Sequence, residues 1–182
     1  MTEHIDLRYP IDNVTEQPFS QDGYNENVKR EYLSEIQRCP VLLENSIANL
    51  DEEQLNFPYR AGGWTPNQVI HHVADSHMNA YIRYKLVLTE DNPTIKTYNE
   101  AAWAELSDTE NVSVDISLNL LYALHVRWHD LMKNMQEGDW QKTLYHPEYK
   151  RKMTLWDLLK TYAWHGKHHV AHITTLRERK GW

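Results

Sequence analysis

Four histidines fall within eight residues near the end of the chain, in the run His165-Gly166-Lys167-His168-His169-Val170-Ala171-His172. Residues four apart on a helix lie on one face, one turn apart. Two imidazoles at that spacing can reach a single ion, as they do in helical zinc sites. Two pairs meet the requirement, His165 with His169 and His168 with His172. Facing separates them. At about 100° per residue, the apolar stripe of this helix runs along Leu155, Tyr162, Gly166 and Ile173. His169 falls roughly 20–40° from its centre and His165 about 60°, whereas His168 lies well beyond ~90°. The expectation is that His165 and His169 point inward and His168 leans to solvent. Gly166 sits mid-helix at a cost in helix propensity, which suits a close approach by another element or room for a ligand.

Two ligands hold a metal weakly, so a second helix should supply a third. The segment after Pro66 offers His71, His72 and His77, with His72 and His77 flanking the stripe Val69, Val73, Ser76, Ala80 on either side. Periodicity does not choose between them. His125 and His129 form another i, i+4 pair, His125 bordering an apolar stripe and His129 farther out. The ordinary reading of His77, His125 and His129 is a hydrogen-bonded core or rim side chain. Trp64, Trp128, Trp156 and Trp164 read most simply as packing. Cys39 precedes Pro40 with no histidine beside it in the chain, which suits a buried thiol rather than a nucleophile.

The elements that must position these side chains are mostly helices. Val28, Tyr32, Ile36, Leu43, Ile47 and Leu50 follow helical spacing, with Pro40 expected to kink or restart the run. Asp51 reads as the cap of a short turn through Leu55. Thr65 with Gln68 three residues on forms a capping box, and Pro66 takes the favoured first helical position. Leu121, Leu124, Trp128, Leu131 and Met135 mark a third long helix ending near Gly138. Thr154 with Asp157 caps the last, and Gly181 closes it. The long helices are expected at 25–50, 66–89, 115–136 and 155–179. One amphipathic turn or two is expected between Glu100 and Leu106, and a loop or short hairpin from Trp140 to Met153. The fold class is therefore all-α, a four-helix bundle with at least one crossover connection. Residues 1–182 read as a single domain, with residues 1–24 irregular because of Pro10, Pro18 and Gly23.

Composition agrees. The chain of 182 residues can bury a core without staples. Six glycines and seven prolines do not suit a turn-dense β fold. A net charge of −7 argues against nucleic acid as a partner. The single cysteine excludes an internal disulfide framework or a cysteine-rich zinc site. No apolar run reaches the ~18 residues of a membrane span, and the polar start has no signal-peptide core. The expected address is the cytoplasm, with no membrane partner.

Several of these stretches together resemble a known family. Gly62-Gly63-Trp64-Thr65-Pro66 followed by His71-His72-Val73-Ala74-Asp75-Ser76-His77-Met78-Asn79 is similar to the YfiT branch of the DinB-like superfamily. So is the stretch from Trp164-His165 through His168-His169-Val170-Ala171-His172-Ile173 to Gly181-Trp182. Tyr98-Asn99-Glu100 and Tyr145-His146-Pro147 also fit, so the likeness covers nearly the whole chain. His172 stands where many broader relatives have Gln, but the YfiT branch matches His. The resemblance implies a four-helix bundle of unusual topology, a homodimer, and a three-histidine metal site of His72, His165 and His169. It thereby selects His72 over His77.

Three neutral imidazoles with an open position are the pattern of a catalytic metal. Zinc is the expected ion, one per subunit, with nickel as an alternative, since imidazole suits several divalent metals. The resemblance implies transfer of a low-molecular-weight thiol of the bacillithiol type onto electrophilic small molecules, with the metal stabilising the thiolate. The alternative is a metal-dependent hydrolase in which the ion lowers the pKa of a water. A hydrolase also needs a nearby general base, and these motifs lack the Glu of the His-Glu-x-x-His proteases. A non-catalytic metal-binding protein is the third reading.

Overall fold

The computed structural model describes residues 6–11 and 23–182. Four long helices dominate: α1 (Glu26–Ile47), α3 (Pro66–Thr89), α6 (Val114–Lys133) and α8 (Leu155–Lys180). Short helices α2 (Glu52–Leu55), α4 (Glu100–Trp103), α5 (Ser107–Asn111) and α7 (Glu137–Trp140) lie in the connections. A single antiparallel hairpin joins β1 (Thr143–His146) to β2 (Arg151–Thr154), pairing Thr143 with Thr154 and His146 with Arg151. The irregular start expected over residues 1–24 falls mostly outside the described residues.

The helix starts follow the caps written in the sequence. Thr65 and Gln68 close a reciprocal capping box on α3, and Thr154 and Asp157 do the same on α8. Asp51 and Gln54 cap α2 likewise. Each such cap contributes about 1 kcal/mol. Gly181 ends α8 at a φ of 71°, a left-handed conformation that glycine adopts without a Cβ clash.

Two expectations need correction. Pro40 does not restart the helix, because α1 runs unbroken across it to Ile47. The helix tolerates it because the carbonyl that loses its donor, Ile36 O, accepts instead from His125 Nδ1 at 2.7 Å. The third long helix stops at Lys133 rather than near Gly138, because Gln136 and Asp139 cap a separate turn, α7.

Around the bundle, α1 packs against α6 and α8, and α3 packs against the same two. Consecutive long helices α1 and α3 therefore stand on one diagonal, and α6 and α8 on the other. The α1–α3 and α6–α8 connections thus cross the bundle, in keeping with the expected crossover, whereas the long α3–α6 connection joins neighbours. The α3–α6 connection passes through α4 and α5, and Asn67 and Gln68 tie it down by donating to the carbonyls of Thr109 and Ala104.

The core is divided. Leu33 and Ile36 of α1, Tyr84 and Val87 of α3, Trp128 and Met132 of α6, and Leu155 and Leu159 of α8 form one apolar cluster. Leu43 and Ile47, Val69 and Val73, Leu118 and Leu121, and Ile173 and Leu176 of the same four helices form the other. Each large side chain so buried contributes roughly 1.5–3 kcal/mol. Between the two clusters three of the helices place polar side chains: Ser76 and His77 on α3, His125 on α6, and His165, His168, His169 and His172 on α8. A polar layer across the waist of a bundle must be internally satisfied or occupied.

Candidate metal centre

His72 of α3 and His165 and His169 of α8 offer ring nitrogens that all lie within 4.8 Å of one another. Their ring centroids are 5.4 Å apart for His72 and His165, 4.9 Å for His72 and His169, and 4.5 Å for His165 and His169. The α8 pair converges because its members are one turn apart on the face packed against α3. Trp64, just before the α3 cap, lies over the group at 4.5 Å from His72 and stacks against His169 at 6.3 Å. It shields the histidines from one side.

Burial keeps these imidazoles neutral. It pushes His72 down to about 4 and holds His165 and His169 well below the usual histidine range, with neighbouring rings adding to the effect. Neutral imidazole is the form that donates a lone pair to a metal. His169 Nδ1 is buried with no hydrogen-bond partner, a deficit that coordination or a bound ligand would relieve. A divalent cation fits this donor set.

The three histidines line a cavity of about 890 Å³. The same cavity is also lined by Arg83, Glu100, His146 and Tyr162 from α3, α4, β1 and α8. Arg83 donates to Tyr162 Oη at 3.2 Å. Burial raises the Glu100 carboxyl above its ordinary range, and Glu148 raises it further. Helical periodicity gave no hint of this grouping, since its members come from four separate elements. In the sequence, Tyr162 belongs to the apolar stripe of the last helix, and Glu100 and His146 to the segments Tyr98-Asn99-Glu100 and Tyr145-His146-Pro147.

The other histidines sort clearly. His71 spends both nitrogens outside the site, Nδ1 on Ser117 Oγ at 2.8 Å and Nε2 on the Val112 carbonyl at 3.1 Å. His77 and His125 are buried and bonded to each other at 2.8 Å, as their core reading required. His129 is only half-buried. Cys39 is buried beside His77 and His125, and burial pushes its thiol up to about 12, which disqualifies it as a nucleophile.

His168 corrects the facing argument. It is 7% exposed rather than turned to solvent, stacked on Trp164 at 4.3 Å and facing Tyr9 at 6.0 Å. The periodicity of α8 describes only that helix's own stripe. It does not register that residues 6–11 lie across this face, where the Arg8 carbonyl accepts from His172 Nε2 at 3.2 Å. Tyr59 covers the same side, stacked on His172 at 4.1 Å. Even so, His168 and His172 do not join a three-donor group among the described residues.

Known proteins place the chain. Residues 35–173 match the DinB superfamily. The chain is 49% identical to a protein of Bacillus mycoides (strain KBAB4) named "Putative metal-dependent hydrolase", over 97% of this chain and 99% of that one. It is also 49% identical to a protein of the same description from Oceanobacillus iheyensis, over 96% and 98%. Among solved structures, YfiT from Bacillus subtilis, described as "a probable metal-dependent hydrolase with an unusual four-helix bundle topology", superposes with a TM-score of 0.92. The two share 41% identity over 98% of this chain and 99% of that one. The chain belongs to the DinB superfamily, among relatives named as metal-dependent enzymes.

Proposed function

We propose that His72, His165 and His169 hold one divalent ion, zinc by preference, and that the protein joins a low-molecular-weight thiol to an electrophilic small molecule. The observation that carries this reading is the convergence of three neutral imidazoles on the wall of a cavity of about 890 Å³. That volume lies in the range of small-molecule sites and leaves room for two small reactants. An ion held by three uncharged ligands keeps its full positive charge, and it would supply a Lewis-acidic centre that stabilises a thiolate at neutral pH. The chain's own part is to position and to exclude water. Trp64 covers the histidines on one side, and Arg83 braced on Tyr162 presents positive charge to the same cavity.

A metal-dependent hydrolase is the second reading, and Glu100 favours it. A carboxyl of raised pKa lining the same cavity is suited to general-base or general-acid work. The relatives' names point the same way. The deciding experiment measures thiol consumption by zinc-loaded protein against a panel of low-molecular-weight thiols and alkylating electrophiles. Consumption that requires both metal and electrophile supports transfer. Ester or amide cleavage without thiol, with thiol acting only as an inhibitor, establishes hydrolysis instead.

A cytoplasmic homodimer belongs to the same reading. Its support is the family likeness together with apolar side chains left exposed on α6, where Ile116, Leu120 and Val126 face solvent. Light scattering that gives one subunit's mass at micromolar concentration would remove the dimer.

A further inference from the structure

A continuous hydrogen-bond chain links the backbone of α1 to the candidate metal centre. The Ile36 carbonyl lies 2.7 Å from His125 Nδ1, His125 Nε2 lies 2.8 Å from His77 Nδ1, and His77 Nε2 lies 3.1 Å from His165 Nδ1. His77 is fully buried and His125 nearly so, with Trp128 packed edge-on against both rings. The chain begins where it does because of Pro40. In a helix the Ile36 carbonyl would accept from the amide of residue 40, and proline has none.

The carbonyl end sets every proton that follows. A carbonyl only accepts, so His125 must carry its proton on Nδ1. A neutral imidazole has one N–H, so His125 Nε2 then accepts from His77 Nδ1–H. His77 Nε2 in turn accepts from His165 Nδ1–H. His165 is left with its lone pair on Nε2, the nitrogen away from the relay. No other arrangement of one proton per ring satisfies all three contacts.

We propose that His77 and His125 are positioning residues which, anchored on the Ile36 carbonyl that Pro40 leaves without a helical donor, fix His165 as the Nδ1–H tautomer and aim its Nε2 lone pair at the ion. The inference rests on the metal reading above for the identity of the ion. Ordinary metal sites fix a ligand's tautomer with a single carboxylate, carbonyl or water. Here two further rings carry the constraint through the waist of the bundle from a helix that supplies no ligand. The same assignment explains why Cys39, His77 and His125, which also lie within 4.8 Å of one another, do not form a second metal site. All four nitrogens of the two rings are engaged.

Nitrogen NMR of metal-free protein labelled with 15N-histidine reads the tautomers directly. The wild-type protein should show His125, His77 and His165 all protonated on Nδ1. His125→Phe removes the acceptor for His77 Nδ1–H, so His77 can turn its proton toward His165, and an Nε2–H population should appear on His165. Zinc affinity should fall by about 10–100-fold, the usual effect of losing a partner that orients a ligand. A wild-type His165 protonated on Nε2 would overturn the proposal whether or not the variant folds. So would a folded His125→Phe protein with unchanged His165 tautomer and zinc affinity. His169→Ala separates this from failure of the metal reading. If zinc binds wild type and is lost in His169→Ala while His125→Phe binds normally, the relay falls and the metal centre stands. If the tautomers are as assigned but zinc binds none of the three proteins, the metal reading falls alone.

Discussion

Two groups of potential metal ligands sit side by side in the waist of this bundle, and each meets the same distance test. His72, His165 and His169 form one, and Cys39, His77 and His125 form the other. They differ in what is left unpaired and in what lies next to them. The first opens on a large cavity and keeps a buried ring nitrogen without a partner. The second is enclosed by Trp128 and Tyr162, its imidazole nitrogens are used up by hydrogen bonds, and its thiol is held protonated by burial. Proximity of donors is thus a weak criterion for a metal site. Unsatisfied lone pairs facing open space are a stronger one.

The sharpest way to break this contrast is to remove one donor from each group. His169→Ala should lower zinc affinity by at least about 100-fold, beyond the range for residues outside the ligand set, and should abolish turnover. Cys39→Ser should leave zinc content and affinity unchanged in calorimetric titration. A loss of metal in the cysteine variant would mean that the inner group binds it.

Acid should weaken the metal-free protein through the inner group. Burial pushes His125 down to about 4 from an ordinary 6.5. The unfolded chain takes up a proton on that ring through pH 6.5, while the native state resists until near 4. Stability is therefore intact above pH 6.5 and falls as the pH drops toward 4, by about 1.4 kcal/mol per unit, or about 3 kcal/mol in all for this ring. Chemical denaturation at a series of pH values checks it. His125→Phe, if folded, should flatten that part of the profile.

Smaller effects test the packing between the groups. A β-carbon at Gly166 would stand 2.6 Å from Cys39 Sγ and 3.3 Å from its Cβ. Gly166→Ala should cost about 1–3 kcal/mol despite alanine's better helix propensity, and Cys39→Ala in the same chain should recover part of that loss. His168→Ala should cost about 1 kcal/mol of stability from lost stacking on Trp164, with little change in zinc affinity. Full stability in that variant would favour the solvent-facing position that helical periodicity assigned.

Much of the fold could be read from local signals. Capping boxes at Thr65 and Thr154 and the left-handed Gly181 fixed helix ends because caps are local chemistry. The pair His165 and His169 was legible from spacing and facing, whereas the choice of His72 needed the family resemblance. What escaped was non-local. Pro40 inside α1 makes sense only once His125, eighty-five residues on, is seen to bond the Ile36 carbonyl. His168 is covered by residues 6–11 from the other end of the chain, which no analysis of its own helix could reveal. The cavity wall of Arg83, Glu100 and His146 is assembled from α3, the α3–α6 connection and the hairpin between α6 and α8, which no single helical stripe records.

X-ray absorption at the zinc edge of stoichiometrically loaded protein, prepared without thiol, tests the central claim most directly. Three imidazole nitrogens at about 2.0–2.2 Å with a light oxygen scatterer, and no sulfur, are expected for His72, His165 and His169. Adding a productive thiol should bring in one sulfur at about 2.3 Å. A sulfur shell already present in the thiol-free sample and lost in Cys39→Ser, or a shell with fewer than three imidazoles, would contradict the account.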